Sequence, residues 1–517
     1  MKLQHRIVSK DFLLNLLLVL SMLLPLTLLL ARHPFDGLYG QDPYAYYTYA
    51  TGPLRDSLLQ RQPIPSFFWP PGYPLFVALT TFVVGIRPLA GQIVSLIAGM
   101  SVPIFTMLLA KEVGGVDKHR MIPILAGGLV AFTPQLWQSS VVVMADTTGL
   151  AAATMGVWVL ARYGKQPEGN FKWLGLAVIG VAYAVLSRWA YALTAIPCGV
   201  YTLWVLRQTP RRIAFPHLIG AAALAGGILS PVIVPALSVY LSPAPQTASF
   251  AGDLEVYHWN PLNAFQREFE TGDGFLRYAL PNGVYYAAVP AHRYFFTPLL
   301  AWLILPGLWA FVREGSPVRW LLILGWAGMV YGFHAGAPWQ NFRFTLAYLP
   351  PLAVVTAAGW GELIGRVPRL GRWGLGGVVV LGLGWMAFGG WTLTESFIIR
   401  KEAELDTVAT VQQQLPADAQ VITFGLTLTF QHYTPLETHE IFSLDSERLA
   451  GLVASGKPTY LFLELDSIET QWVGRAPSEN YHWLRDEVGL SEIGTVGMRG
   501  LTAENEHIFT LFEVATP

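Results

Sequence analysis

Phe12-Leu-Leu-Asn-Leu-Leu-Leu-Val-Leu-Ser-Met-Leu-Leu-Pro-Leu-Thr-Leu-Leu-Leu30 is an apolar run of about 19 residues, long enough to cross a bilayer as one helix. Lys2, Arg6 and Lys10 precede it. A basic start followed by an apolar stretch also describes a secretory signal peptide. The run exceeds a usual signal core, however, and no Ala-x-Ala site follows, so the sequence predicts a retained first span. The rest of the chain points the same way. Of its 517 residues, 53% are hydrophobic and 13% charged, against about 25% charged in soluble domains. One soluble core cannot absorb that surplus, because a globule needs polar surface to face water. A net charge of −1 argues against non-specific nucleic-acid binding. The single cysteine, Cys198, excludes a disulfide framework and a Cys-based zinc site.

In lipid every backbone amide must be satisfied within its own segment, so the apolar runs read as helices. Spans are expected near 12–31, 88–110, 121–137, 139–161, 173–187, 189–206, 215–241, 296–312, 318–334, 344–364 and 373–393. The run 71–86 is short and Pro-bounded, and reads as an interfacial or re-entrant helix. With the N-terminus inside, the inner loops hold Lys111, Lys118 and Arg120; Arg162, Lys165 and Lys172; Arg207, Arg211 and Arg212; Arg313 and Arg319; and Arg366, Arg369 and Arg372. That is the bias of cytoplasmic loops. Counting 71–86 as a span would invert it. The fold class expected is therefore an all-α polytopic membrane protein of about eleven spans, N-terminus cytoplasmic, in the plasma (inner) membrane.

Three outer segments are large: 32–87, 242–295 and the chain after about 394. The last has soluble composition. Leu405, Val408, Val411 and Leu415 repeat at helical spacing, Val421-Ile-Thr-Phe-Gly reads as a strand, 446–455 as a helix and Tyr460-Leu-Phe-Leu-Glu-Leu as a strand. Alternating elements predict a small extracytoplasmic α/β domain over 395–517, after a transmembrane domain over 1–394. It has no Gly-rich phosphate loop and its acids are scattered, so no active site is expected there.

Ionisable residues at membrane depth are costly and mark candidate sites. Asp42 lies just beyond the first span, before Tyr44, Tyr46, Tyr47 and Tyr49. Its bland reading is a helix cap ahead of Pro43, and that of the tyrosines a membrane-belt anchor. Further on, Trp69-Pro-Pro-Gly-Tyr-Pro resists helix, and Arg87-Pro88 opens the next span.

In order and spacing, Asp42-Pro-Tyr-Ala-Tyr-Tyr, Trp69-Pro-Pro-Gly-Tyr-Pro and Arg87-Pro-Leu-Ala resemble the GT-C superfamily of membrane glycosyltransferases, in its branch of protein O-mannosyltransferases and aminoarabinose transferases. Met144-Ala-Asp-Thr-Thr, Ser187-Arg-Trp-Ala and Asn341-Phe-Arg-Phe-Thr-Leu-Ala-Tyr-Leu-Pro-Pro extend the resemblance over roughly 10–365. Two departures stand out. Gln41-Asp42 replaces the acid pair of many members, and Phe68 and Trp69 stand where aminoarabinose transferases carry an acid and a Lys, which argues against aminoarabinose as the sugar.

The resemblance implies transfer of a sugar from a polyprenyl-phosphate donor to a glycan, lipid or protein acceptor on the outer face, with inversion. Asp42 is the expected general base. Arg343, then Arg188, then Arg87 are the expected partners of the leaving phosphate. Asp146, whose bland reading is a structural bond to a nearby Thr or Arg, joins Tyr46 and His258 among the candidate substrate-binding residues. His33 and Asp36 read as a solvated turn. In the loop 242–295, Tyr257, Trp259 and Tyr285 are candidates to stack on sugars. No cofactor is assigned; a divalent cation is compatible with the resemblance, and no metal ligands are identified. The competing readings are a lipid-linked glycan flippase, which usually shows internal repeats and midplane charges, and a glycan ligase or polymerase of the same membrane class.

Overall fold

The computed structural model describes residues 2–113, 121–168, 171–241, 259–272, 274–499 and 506–515. They form two compact units. One comprises Met1–Gly37, Tyr46–Phe265 and Leu280–Thr394, and the other Leu38–Ala45, Gln266–Ala279 and Glu395–Pro517.

The first unit is helical. Among the described residues, six helices are long and apolar enough to cross a membrane: Phe12–Arg32, Leu89–Val113, Trp189–Gln208, Arg211–Val234, Phe342–Ile364 and Arg369–Gln414. Shorter apolar helices cover Gly72–Val84, Met121–Ala131 and Phe171–Ser187. Several expected spans are broken. The runs 121–137 and 139–161 are not two straight helices: Met121–Ala131 stops, Pro134–Val141 follows, and after a bend of 118° the chain resumes as Asp146–Tyr163. Pro134 cannot continue the preceding helix, because it lacks an amide hydrogen and its ring clashes with the turn before it. The run 296–312 divides into Thr297–Ala301 and Ile304–Glu314. The run 318–334 begins with a π-helical stretch, Val318–Gly325, before Trp326–Gly336. A 3₁₀ stretch, Phe342–Tyr348, precedes Leu349–Ile364.

Glycines let some of these helices touch backbone to backbone. A Cβ on Gly180 would lie 2.8 Å from the Cα of Gly156 and 2.9 Å from the carbonyl of Ala152, so Phe171–Ser187 and Asp146–Tyr163 pack with nothing between them at that point. Small residues at such crossings are how helices associate without a hydrophobic drive from water.

The second unit centres on a five-stranded sheet. Gln420–Thr423 lies between Glu437–Glu440 and Thr459–Leu463, all three parallel. Glu506–Val514 then pairs antiparallel with Thr459–Leu463, and Leu490–Arg499 forms the far edge. Side chains alternate across the sheet. Val421 and Phe462 face a layer with Val408, Val411 and Phe430, while Ile422 and Leu461 face one with Leu449, Ile468 and Leu484. The helical spacing at 405–415 is the end of the single helix Arg369–Gln414, which runs through the expected domain boundary without a turn. A hairpin, Glu268–Thr271 with Gly274–Arg277, belongs to the same unit.

Candidate functional site

The break after Val141 brings the first unit's charged residues together. Between Val141 and Asp146 the backbone is not helical, and side chains of Leu89–Val113 take over its hydrogen bonds. Gln92 Nε2 donates to the carbonyls of Phe35 (2.9 Å) and Val141 (3.1 Å), and Ser95 Oγ to that of Met144 (3.3 Å). The amide of Val143 donates to the carbonyl of Gly37 at 3.0 Å. Asp146 then opens its helix, where the exposed amides favour a carboxylate. The expected span 139–161 would put Asp146 about two turns inside its outer end; Asp146 lies instead in the first turn of its helix.

Arg188 follows the last residue of Phe171–Ser187 and donates to Asp146 Oδ1. Arg343 sits at the start of the 3₁₀ stretch, where Asn341 Oδ1 accepts from the Arg343 amide at 2.9 Å. Its Nε lies 3.7 Å from Asp146 Oδ2, an ionic contact beyond hydrogen-bond range, and its Nη1 lies 2.9 Å from Met144 Sδ. The Phe344 ring faces both guanidinium groups, at 5.5 Å from Arg188 and 5.6 Å from Arg343. Behind Phe344, His334 stacks at 5.3 Å, and Tyr286 covers the other side of His334 at 5.4 Å.

Asp146 is 3% exposed, while the side chains of Arg188 and Arg343 are 21% and 23% exposed. One buried carboxylate faces two guanidinium groups whose outer parts reach the surface. The cavity between Asp146, Arg188, Tyr191, His334, Arg343 and Phe344 measures about 10 Å³, room for about one water. A phosphate would have to bind at its mouth or move a side chain.

The structure thus brings together three of the residues singled out from sequence: Asp146, Arg188 and Arg343. Asp146 has the partner that its structural reading required. Arg87 is exposed and does not line the cavity. Tyr46 is buried in a separate aromatic group, stacked on Trp69 at 4.7 Å and edge-on to Tyr73 at 5.4 Å. His258 and Tyr257 lie outside the described residues. Trp259 is tied down by its indole, which donates to the carbonyl of Phe333 at 2.9 Å. Tyr285 packs against Tyr286 and Phe342. His334 and Phe344 were missed. A histidine inside the apolar run 321–336 was the signal for the first; nothing in the sequence marked the second. Among the described residues, no three His, Cys, Asp or Glu side chains gather as metal ligands.

Asp42 belongs to the second unit. The helix there begins at Gln41, so Asp42 lies in the first turn and not at the cap. That unit also contains a cavity of about 690 Å³ lined by Gln41, Thr427, Gln431, His439, Glu440 and Arg448, among others. Glu440 accepts from Thr427 Oγ1 at 2.8 Å, and burial raises its carboxyl above the usual range.

Comparison with known proteins adds the following. A family profile described as Dolichyl-phosphate-mannose-protein mannosyltransferase matches residues 69–234. No curated protein matches the chain in sequence. Among solved structures, apo ArnT from Cupriavidus metallidurans superimposes with a TM-score of 0.63 at 15% identity, covering 99% of this chain and 100% of that one. The same protein bound to undecaprenyl phosphate gives 0.60 at 15% identity, over 97% and 99%. The archaeal oligosaccharyltransferase AglB from Archaeoglobus fulgidus, in complex with an inhibitory peptide and a dolichol-phosphate, gives 0.55 at 12% identity, over 88% and 69%.

Proposed function

We propose that this chain, a multi-pass membrane protein whose fold is like that of ArnT and AglB, is a membrane glycosyltransferase of the GT-C kind that moves a sugar from a polyprenyl-phosphate donor to an acceptor hydroxyl. The acceptor oxygen attacks the anomeric carbon, the bond from that carbon to the phosphate oxygen breaks, and the configuration inverts. Asp42 takes the acceptor proton, a contribution of about 10²–10⁴-fold. The polyprenyl phosphate leaves as an anion and needs a cation, not an acid. Arg343 is that cation, with Arg188 beside it. The reading divides the protein into a transmembrane catalytic domain, 1–394, and an extracytoplasmic domain, 395–517. About eleven spans require the shorter and broken apolar helices to cross as well, with the N-terminus cytoplasmic and the reaction on the outer face.

The observation that carries this reading is the Asp146–Arg188–Arg343 cluster, two surface-reaching guanidinium groups gathered on one buried carboxylate, in a fold whose solved representatives include one bound to undecaprenyl phosphate. Purified protein in detergent, supplied with synthetic polyprenyl-phosphate sugars and candidate acceptors, tests it. Sugar transfer that yields free polyprenyl phosphate is the expected outcome. Lipid movement in proteoliposomes without transfer would make it a flippase, and transfer of whole glycans in place of one sugar would make it a ligase.

A further inference from the structure

In the second unit, the part of the helix Arg369–Gln414 from Glu395 onward carries a lysine and a glutamate that are almost wholly buried. Lys401 is 2% exposed and Glu404 5%. Lys401 Nζ donates to the hydroxyl of Tyr44 and lies 3.4 Å from Glu404 Oε1. Thr429, from the helix Thr427–Tyr433, donates to Glu404 Oε1, and its hydroxyl also lies 3.3 Å from that of Tyr44. The ammonium sits between two rings, 5.1 Å from the centre of Tyr44 and 4.7 Å from that of Tyr433. Tyr44 is itself 2% exposed and rests against His432 and Tyr433.

A pair buried this far from water is weak evidence for stability, since desolvation offsets most of the attraction, and its best-attested use is to select one arrangement over others. Here the arrangement selected is that of a segment remote in sequence. Tyr44 comes from the first large loop, and its partners Lys401 and Thr429 lie more than 350 positions later. The hydroxyl fits at one depth and one rotation of the helix Gln41–Thr51, because an apolar atom there would leave Lys401 one acceptor short in a dry site. Asp42 precedes Tyr44 by two residues in that helix. Residues two apart project about 200° from each other, so turning Tyr44 into the Lys401 pocket turns Asp42 to the opposite side.

We propose that the buried Lys401–Glu404 pair, acting through the Tyr44 hydroxyl, is the positioning device for Asp42. The C-terminal domain then takes part in the reaction by holding the base in place, without touching substrate. This rests on Asp42 being the general base.

Tyr44→Phe keeps the ring and removes the hydroxyl. Its kcat falls by about 10- to 100-fold, the loss that a displacement of roughly 1 Å produces, while the donor KM, membrane level and melting temperature stay near those of the parent. The double variant Lys401→Met with Glu404→Gln replaces the ion pair by neutral side chains of similar size; it folds and shows the same loss of kcat. In an Asp42→Asn background, Tyr44→Phe causes no further loss, because it acts through a group that is already gone. Parental kcat in Tyr44→Phe, with Asp42→Asn inactive, overturns the positioning role and leaves the base assignment standing. So does an equal loss from Tyr44→Phe with and without Asp42, or a loss that only tracks the amount of folded protein. Parental activity in Asp42→Asn removes the base assignment, and the positioning role with it.

Discussion

Arg188 and Arg343 face the same carboxylate, yet removing them should have opposite consequences. Arg188 makes the hydrogen-bonded contact with Asp146, whereas Arg343 stands 3.7 Å from the other oxygen. Arg188→Met therefore strips a 3% exposed carboxylate of the one close side-chain donor it has among the described residues. Breaking a buried pair costs about 3–5 kcal/mol. The remaining ionic contact with the partly exposed Arg343, worth about 1 kcal/mol or less, offsets part of that loss. Arg343→Met leaves the Arg188 contact intact and removes a partly exposed ionic contact, a loss of about 1 kcal/mol or less. Its effect should fall on the donor. A truncated charge contact to phosphate costs about 2–5 kcal/mol, which raises the donor KM by at least about 30-fold. The assay has two arms on the same detergent-purified samples: thermal unfolding, and initial rates against donor concentration. The refuting pattern is the exchange of the two phenotypes, with Arg188→Met folding like the parent and losing donor affinity while Arg343→Met unfolds early.

Three further outcomes are expected. Asp42→Asn keeps expression and donor binding but lowers transfer by about two or more orders of magnitude; a well-folded variant with parental turnover removes Asp42 from the chemistry. Glu440 has a carboxyl raised by burial, so the folded protein holds its proton more tightly than the unfolded chain does. Its contribution makes the C-terminal domain more stable as pH falls from the raised value toward the ordinary one near 4.5. Hydrogen exchange of 420–463 from pH 4.5 upward should show that slope in the parent and lose it in Glu440→Gln; an unchanged slope assigns it to other groups. Pro210→Cys and Lys457→Cys, each in a Cys198→Ala background, test the orientation: an impermeant thiol reagent should label position 457 and spare position 210 in intact spheroplasts, and the reverse pattern inverts the topology.

Much of the helical scaffold was legible because an apolar run of sufficient length has few alternatives in lipid. Phe12–Arg32, Leu89–Val113 and Arg211–Val234 were read from that rule alone. The breaks were not. From Met121 to Tyr163 the chain reads as nearly continuous apolar sequence, and the 118° bend depends on Gln92 and Ser95, some 50 residues away, to donate to the freed carbonyls. Sequence spacing cannot report a bond of that range. Asp146, Arg188 and Arg343 were singled out one by one, on short motifs that resemble the GT-C superfamily and as charges in apolar settings, although their meeting required the fold. Lys401 and Glu404 escaped notice for the converse reason: they lie in a stretch of ordinary soluble composition, where a Lys three residues before a Glu reads as a surface pair. The alternation at 420–463 was readable, but the strands Leu490–Arg499 and Glu506–Val514 were not anticipated.

The sutured break at 141–146 also bears on how the chain enters the membrane during synthesis. Non-helical amides in hydrocarbon cost several kcal/mol each unless something nearby pairs with them. Among the described residues, the groups that pair with the backbone of Val141, Val143 and Met144 here come from earlier in the chain: the carbonyl of Gly37 and the side chains of Gln92 and Ser95. When the ribosome reaches Met144, its partners have already been made, and the bent segment need not wait for any later helix. Arg188 and Arg343, which complete the charge on Asp146, come afterwards. The backbone of the site can therefore be closed before its charges are, with the carboxylate set in place first and the guanidinium groups arriving in turn.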